Sequence, residues 1–121
     1  MGKFLIDSVI LIDHLNGVDK ASKWLSRNRD SYISVITRAE ILAGASPEEV
    51  HTIKLLLDSF KCLAITNIVA DKAAELRQQY NLKLPDAFQA ALAILNDIQL
   101  ATRDAKDFKP GIEFVKIPYK L

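Results

Sequence analysis

The sequence has a single cysteine, two histidines and no long apolar run in its 121 residues. Cys62 alone rules out an intramolecular disulfide, and its place in the apolar segment Cys62-Leu63-Ala64-Ile65 predicts a thiol buried in a strand. No stretch approaches membrane-spanning length. The N-terminus enters a strand at Lys3 to Ile6 without the apolar core of a signal peptide, so a cytoplasmic protein with no membrane partner is expected. His14 and His51 are too few and too far apart for a histidine-rich zinc site, and surface placement is expected for both. There is no Gly-x-Ser-x-Gly elbow, no phosphate-binding Gly-x-x-x-x-Gly-Lys loop and no dinucleotide fingerprint. Neither sign of charge dominates: 16 basic residues stand against 15 acidic ones. A polyanion would have to be held by a local basic patch and not by the field of the whole protein.

Half of the residues are hydrophobic and 26% are charged, the balance of a packed domain and not of a disordered chain. The length fits one domain over 1–121, with no repeat, low-complexity segment or linker. Phe4-Leu5-Ile6 is a short apolar run without alternation, as in a central strand covered on both faces. Helices are predicted from about Val9 to Asn16, closed by Gly17, and from Asp19 to about Asn28, the second burying Ala21, Trp24 and Leu25. Tyr32-Ile33-Ser34 reads as a strand, with Ser34 capping a helix over 35–43 that stops at Gly44. Ser46-Pro47-Glu48-Glu49 carries the marks of a helix start, with Glu49 completing a capping box, and that helix runs to about Phe60. A third strand covers 61–65. Asn67 then caps a helix to about Tyr80, Pro85 opens another to about Asn96, and strands follow at Gln99 to Ala101 and Glu113 to Ile117. Strands separated by helices imply a three-layer α/β/α sandwich around a mostly parallel sheet.

Ligands of open parallel sheets bind beyond the carboxyl ends of the strands, so acids that follow strands matter first. Asp7 follows the first strand. Asp104 lies three residues past Ala101, with Asp107 three further on, and Asp86 falls in the first turn of the helix opened by Pro85. Glu40 shares a helix face with Ile36 and Ala43, opposite Arg38, and an inward carboxylate is costly unless paired or shared with a cation. Each acid also has an ordinary reading. Asp7 fits a turn, Asp86 complements a helix dipole, Glu40 fits a solvated helix, and Asp104 and Asp107 fit a capped polar loop.

The successive segments Phe4-Leu5-Ile6-Asp7-Ser8, Ile36-Thr37-Arg38-Ala39-Glu40-Ile41-Leu42-Ala43-Gly44, Leu84-Pro85-Asp86-Ala87 and Leu100-Ala101-Thr102-Arg103-Asp104-Ala105-Lys106-Asp107-Phe108 resemble, in order and spacing, the motifs of PIN-domain ribonucleases, above all VapC toxins. The resemblance spans residues 4 to about 117. It implies a metal-dependent endoribonuclease, the toxin of a toxin–antitoxin pair, whose acidic quartet is Asp7, Glu40, Asp86 and Asp104. Thr102 becomes a hydroxyl neighbour of the site and Asp107 an auxiliary acid or cap. Val9 departs from the pattern, since VapC sequences often carry serine or asparagine there.

On that resemblance, Asp7, Asp86 and Asp104 are the expected ligands of Mg²⁺ or Mn²⁺, directly or through waters, and Glu40 orients a water or a second ion. Arg38, Lys83, Arg103, Lys106 and Lys109 are the candidate phosphate contacts, each with a solvated surface charge as its ordinary reading. The implied partners are RNA, a VapB-type antitoxin protein and a second copy in a homodimer. Three other readings compete. A phospho-receiver domain needs an aspartate at the end of strand three, where Thr66-Asn67 stand, and a phosphatase with an aspartyl nucleophile wants one at Val9. A PIN-like module without catalysis, acting only in binding, is the third.

Overall fold

In the computed structural model, residues 3–103, 108 and 112–121 are described. Strand β1 (Phe4–Ile6) leads into α1 (Ser8–Leu15), and α2 (Asp19–Arg27) packs behind it. β2 (Tyr32–Ser34) runs straight into α3 (Val35–Ala43), where the Ser34 hydroxyl accepts from the Thr37 N–H. Helix α4 (Val50–Asp58), β3 (Lys61–Leu63), α5 (Asn67–Tyr80), α6 (Leu84–Leu95), β4 (Gln99–Ala101) and β5 (Val115–Lys116) complete the chain. The strands lie in the order β3-β2-β1-β4-β5, and every pairing is parallel.

Side chains of a strand alternate between faces, and here the alternation divides the core. Leu5 and Leu100 belong to one cluster with Val69, Ala73, Leu76 and the alanines of α6; Ile6, Ile33 and Ala101 belong to the other with Ile10, Leu25, Ile41 and Leu57. Helices α5 and α6 therefore cover one face and α1 to α4 the other, which is the three-layer sandwich expected. The small side chains of Ala87, Ala90, Ala91 and Ala93, all wholly buried, let α6 approach both the sheet and α5 closely.

Several local expectations are corrected. Strand β3 stops at Leu63 because β2 has only three residues, and Tyr32, Ile33 and Ser34 already pair with Lys61, Cys62 and Leu63. As an edge strand, β3 leaves Cys62 exposed, not buried. Thr66, and not Asn67, caps α5 by accepting from the Val69 N–H. At Ser46 to Glu49 the Glu49 carboxylate accepts from both the backbone N–H and the hydroxyl of Ser46. The serine hydroxyl donates instead of capping, so the regular helix begins one turn later, at Val50. His14 is half-buried with Nδ1 2.7 Å from the Ser22 hydroxyl, while His51 is exposed as expected. Strand β5 is shortened because Glu113 and Phe114 form a turn.

Candidate active site

At the carboxyl edge of the sheet the chain leaves β1 at Asp7, whose N–H donates to the Ala101 carbonyl at 2.9 Å. One carboxylate oxygen, Oδ1, accepts from the Ser8 N–H at 2.9 Å and so caps α1; the other, Oδ2, accepts from the buried Thr102 hydroxyl at 2.8 Å. The carboxylate is thereby held from both sides.

Two more acids meet it. Glu40 comes from α3 and Asp86 from the first turn of α6, and both line with Asp7 a cleft of about 240 Å³. Ser8, Val9, Lys83, Pro85 and Gln89 form the rest of its wall. The buried residues of α3 are Thr37 and Ile41, so Glu40 projects from the flank of the helix into the cleft and does not share the packing face proposed from Ile36 and Ala43. Desolvation raises the Glu40 pKa above the usual value, a Ser8 hydroxyl bond works against the rise, and the negative charge of Asp7 adds to it. The last contribution is the electrostatic sign of acids gathered in one place.

Among the described residues, no three acids, histidines or cysteines stand close enough to surround one ion. Asp104, Lys106, Asp107 and Lys109 lie outside the described residues. The acids and the Ser8 hydroxyl at the cleft offer oxygen donors, the set that hard divalent cations prefer, without the histidine or cysteine usual at zinc among the described lining residues.

The cations divide. Lys83 lines the cleft. Arg38 pairs with Asp58 at 2.8 Å on the outer surface. Arg103 lays its guanidinium on Asp13, with Nε 2.6 Å and Nη2 3.1 Å from the two carboxylate oxygens, and the Tyr119 hydroxyl donates to the same group at 2.7 Å. Burial alone would raise the Asp13 pKa; bonds from Arg103 and Tyr119 and the charge of Arg103 outweigh it and hold the carboxyl below its usual range. The triad ties α1, the end of β4 and the C-terminal segment together.

Removing one member should be costly. Arg103→Ala is expected to destabilise the fold by about 2 to 3 kcal/mol, less than for a wholly buried pair because the arginine keeps some water contact. The corresponding fall in melting temperature is about 10 °C. Because the folded-state pKa of Asp13 is depressed, its stabilisation is present above the ordinary carboxylate range and is lost as pH falls through the folded value. Urea unfolding at neutral and acid pH checks this: Asp13→Asn should lose stability at neutral pH and show a flatter acid limb.

Sequence reasoning missed Asp13, Ser8 and Gln89. Asp13 carried a signal, since it lies three residues after the core residue Ile10 on the apolar stripe of α1. Gln89 carried a similar one, as a polar residue amid the alanines of α6.

Sheet order, cleft position and acid placement together define a PIN-type fold, and the chain belongs to the PIN domain family, whose model matches residues 4–109. It is 36% identical to Ribonuclease VapC10 of Mycobacterium tuberculosis (strain H37Rv), over 97% of this chain and 93% of that protein. A chain of the toxin-antitoxin complex from Klebsiella pneumoniae superposes with a TM-score of 0.92 at 36% identity, covering 98% of this chain and all of that one. The DNA-bound VapBC from Salmonella typhimurium shares the fold at a TM-score of 0.80 and 17% identity, over 99% of this chain and 98% of its own.

Proposed function

We propose that this chain is an endoribonuclease, the toxin of a toxin–antitoxin pair, and that it hydrolyses RNA phosphodiester bonds at the Asp7, Glu40 and Asp86 cleft with Mg²⁺ or Mn²⁺. The observation that carries the proposal is the meeting of three acids, remote in sequence, in one cleft at the carboxyl edge of the sheet. Identity to Ribonuclease VapC10 over nearly the whole chain supports the ribonuclease reading.

Asp7, Asp86 and Asp104 would hold the cation. When bound, it supplies charge relief on the phosphoryl oxygens and lowers the cost of forming the attacking hydroxide. Thr102 and the Ser8 N–H keep the Asp7 carboxylate turned toward the cleft. Glu40, whose proton affinity is raised, orients the attacking water. As the water oxygen joins phosphorus, the bond to the leaving ribose oxygen breaks. Lys83 at the cleft is the favoured phosphate contact, ahead of Arg38 and Arg103, which are engaged with Asp58 and Asp13. Asp107 keeps the auxiliary role that the family pattern implies, and Lys106 stays a candidate phosphate contact.

The Klebsiella relative is a toxin-antitoxin complex, and we extend to this chain a VapB-type antitoxin, a homodimer and a cytoplasmic site of action. A binding-only module is the second reading, favoured by Val9 on the cleft wall where a polar residue is common. Incubating the purified chain with RNA and Mg²⁺ or Mn²⁺ separates the two. Discrete fragments are expected; RNA bound but left intact would establish the second reading.

A further inference from the structure

One turn from the acids, on the same two helices, lies a buried polar pair. Gln89 is 2% exposed and Thr37 is wholly buried, and the Gln89 Nε2 donates to the Thr37 Oγ1 at 2.8 Å. The other amide atom, Oε1, is buried with no hydrogen-bond partner among the described residues. Thr37 stands one turn before Glu40 on α3, and Gln89 one turn after Asp86 on α6. Residues three apart share a helix face. The bond therefore joins the two helices within one turn of the acid that each brings to the cleft, and Gln89 itself lines that cleft.

A buried acceptor without a donor lowers stability, whereas replacing both partners by apolar groups of the same shape is close to neutral or better. Surrounded on α6 by Ala87, Ala90 and Ala91, all wholly buried, an apolar side chain at position 89 would serve packing at least as well. The polar pair is better explained by the site above it. We propose that Thr37 and Gln89 are positioning residues of the active site: their hydrogen bond fixes α3 against α6 and so sets the separation of Glu40 from Asp86. Interhelical packing alone permits sliding of small side chains past one another; a hydrogen bond at 2.8 Å fixes one register. The inference rests on the metal-dependent nuclease reading and adds to it a reason for the geometry of the acids.

The test is the double variant Thr37→Val and Gln89→Met, which keeps shape and removes the bond, beside Thr37→Ser, which keeps the hydroxyl. Three quantities are measured: the melting temperature without metal, the Mn²⁺ concentration that gives half of the metal-induced rise in melting temperature, and kcat and KM for RNA. For the double variant the metal-free melting temperature should stay at or above that of the wild type. Its half-saturating Mn²⁺ concentration should rise by about tenfold or more, the range seen when groups that orient metal ligands are removed. Cleavage should fall through kcat with KM little changed, and Thr37→Ser should behave as the wild type. A double variant that is as stable as the wild type and keeps its Mn²⁺ response and kcat would overturn the proposal. One that loses stability and activity together, with an unchanged Mn²⁺ midpoint, would also overturn it, since the pair would then serve the fold alone. Should the double variant not fold, Thr37→Val alone decides by the same midpoint. Failure of the underlying nuclease reading is recognised separately, by a wild type that shows no Mn²⁺ response.

Discussion

Asp7→Asn is expected to cut RNA cleavage by about three orders of magnitude while leaving the fold in place. A divalent ion at the reacting phosphate contributes several kcal/mol of transition-state stabilisation, and each 1.36 kcal/mol is a factor of about ten in rate. Replacing the carboxylate by an amide removes the charge that holds the ion. Asparagine has nearly the same size and is as good an N-cap as aspartate, so the bond to the Ser8 N–H has a ready substitute. The Thr102 hydroxyl, which now donates to Asp7, faces either an amide oxygen or an amide N–H and can pair with both. Cleavage rate and far-UV circular dichroism together check the prediction. Full activity in Asp7→Asn removes Asp7 from the chemistry; loss of the helical signal shows instead that its role is to cap α1.

The second large effect is on stability. At a Mn²⁺ concentration near 100 times its dissociation constant, binding to the folded state alone should add about 2.7 kcal/mol, or about 10 °C in melting temperature for a domain of this length. Without metal, Asp7 and Glu40 oppose one another, which is one cause of the raised Glu40 pKa. A raised folded-state pKa favours the fold below the ordinary carboxylate range and becomes unfavourable as pH rises through the folded value. The metal-free protein at neutral pH therefore carries a repulsion that the ion relieves. Asp86→Asn should leave the metal-free melting temperature unchanged or raise it, and should shrink the metal-induced rise. If Asp86→Asn instead lost stability without metal and the wild type ignored millimolar Mn²⁺, Asp86 would be a helix-terminus residue and nothing more.

Much of this architecture is legible in the sequence because its signals are local. Ser34 announces α3, Pro85 announces α6, and the unbroken apolar run of Phe4 to Ile6 announces a strand covered on both faces. Asp7 after β1, Glu40 in the helix that follows β2 and Asp86 in the first turn of α6 then meet at one edge of the sheet. What periodicity does not reveal depends on partners far along the chain. The length of β3 is set by how many residues β2 offers it, and the exposure of Cys62 follows from β3 being an edge. The inward face of α3 is chosen by its packing against α1 and α6, which puts Thr37 and Ile41 inside and Glu40 at the flank. Arg103 looks like a surface cation until Asp13, 90 residues away, is seen to take both of its nitrogens. Gln89 gains meaning only when Thr37 arrives from another helix.

The decisive measurement is the dependence of cleavage on metal. Purified protein is stripped with EDTA, assayed on RNA, and assayed again after Mg²⁺ or Mn²⁺ is restored in excess of the chelator. No cleavage is expected in the stripped sample and full recovery on restoring the ion, with Asp86→Asn needing a higher ion concentration to reach its own half-maximal rate. Cleavage at the same rate with and without EDTA would show that no metal ion takes part at the Asp7, Glu40 and Asp86 cleft.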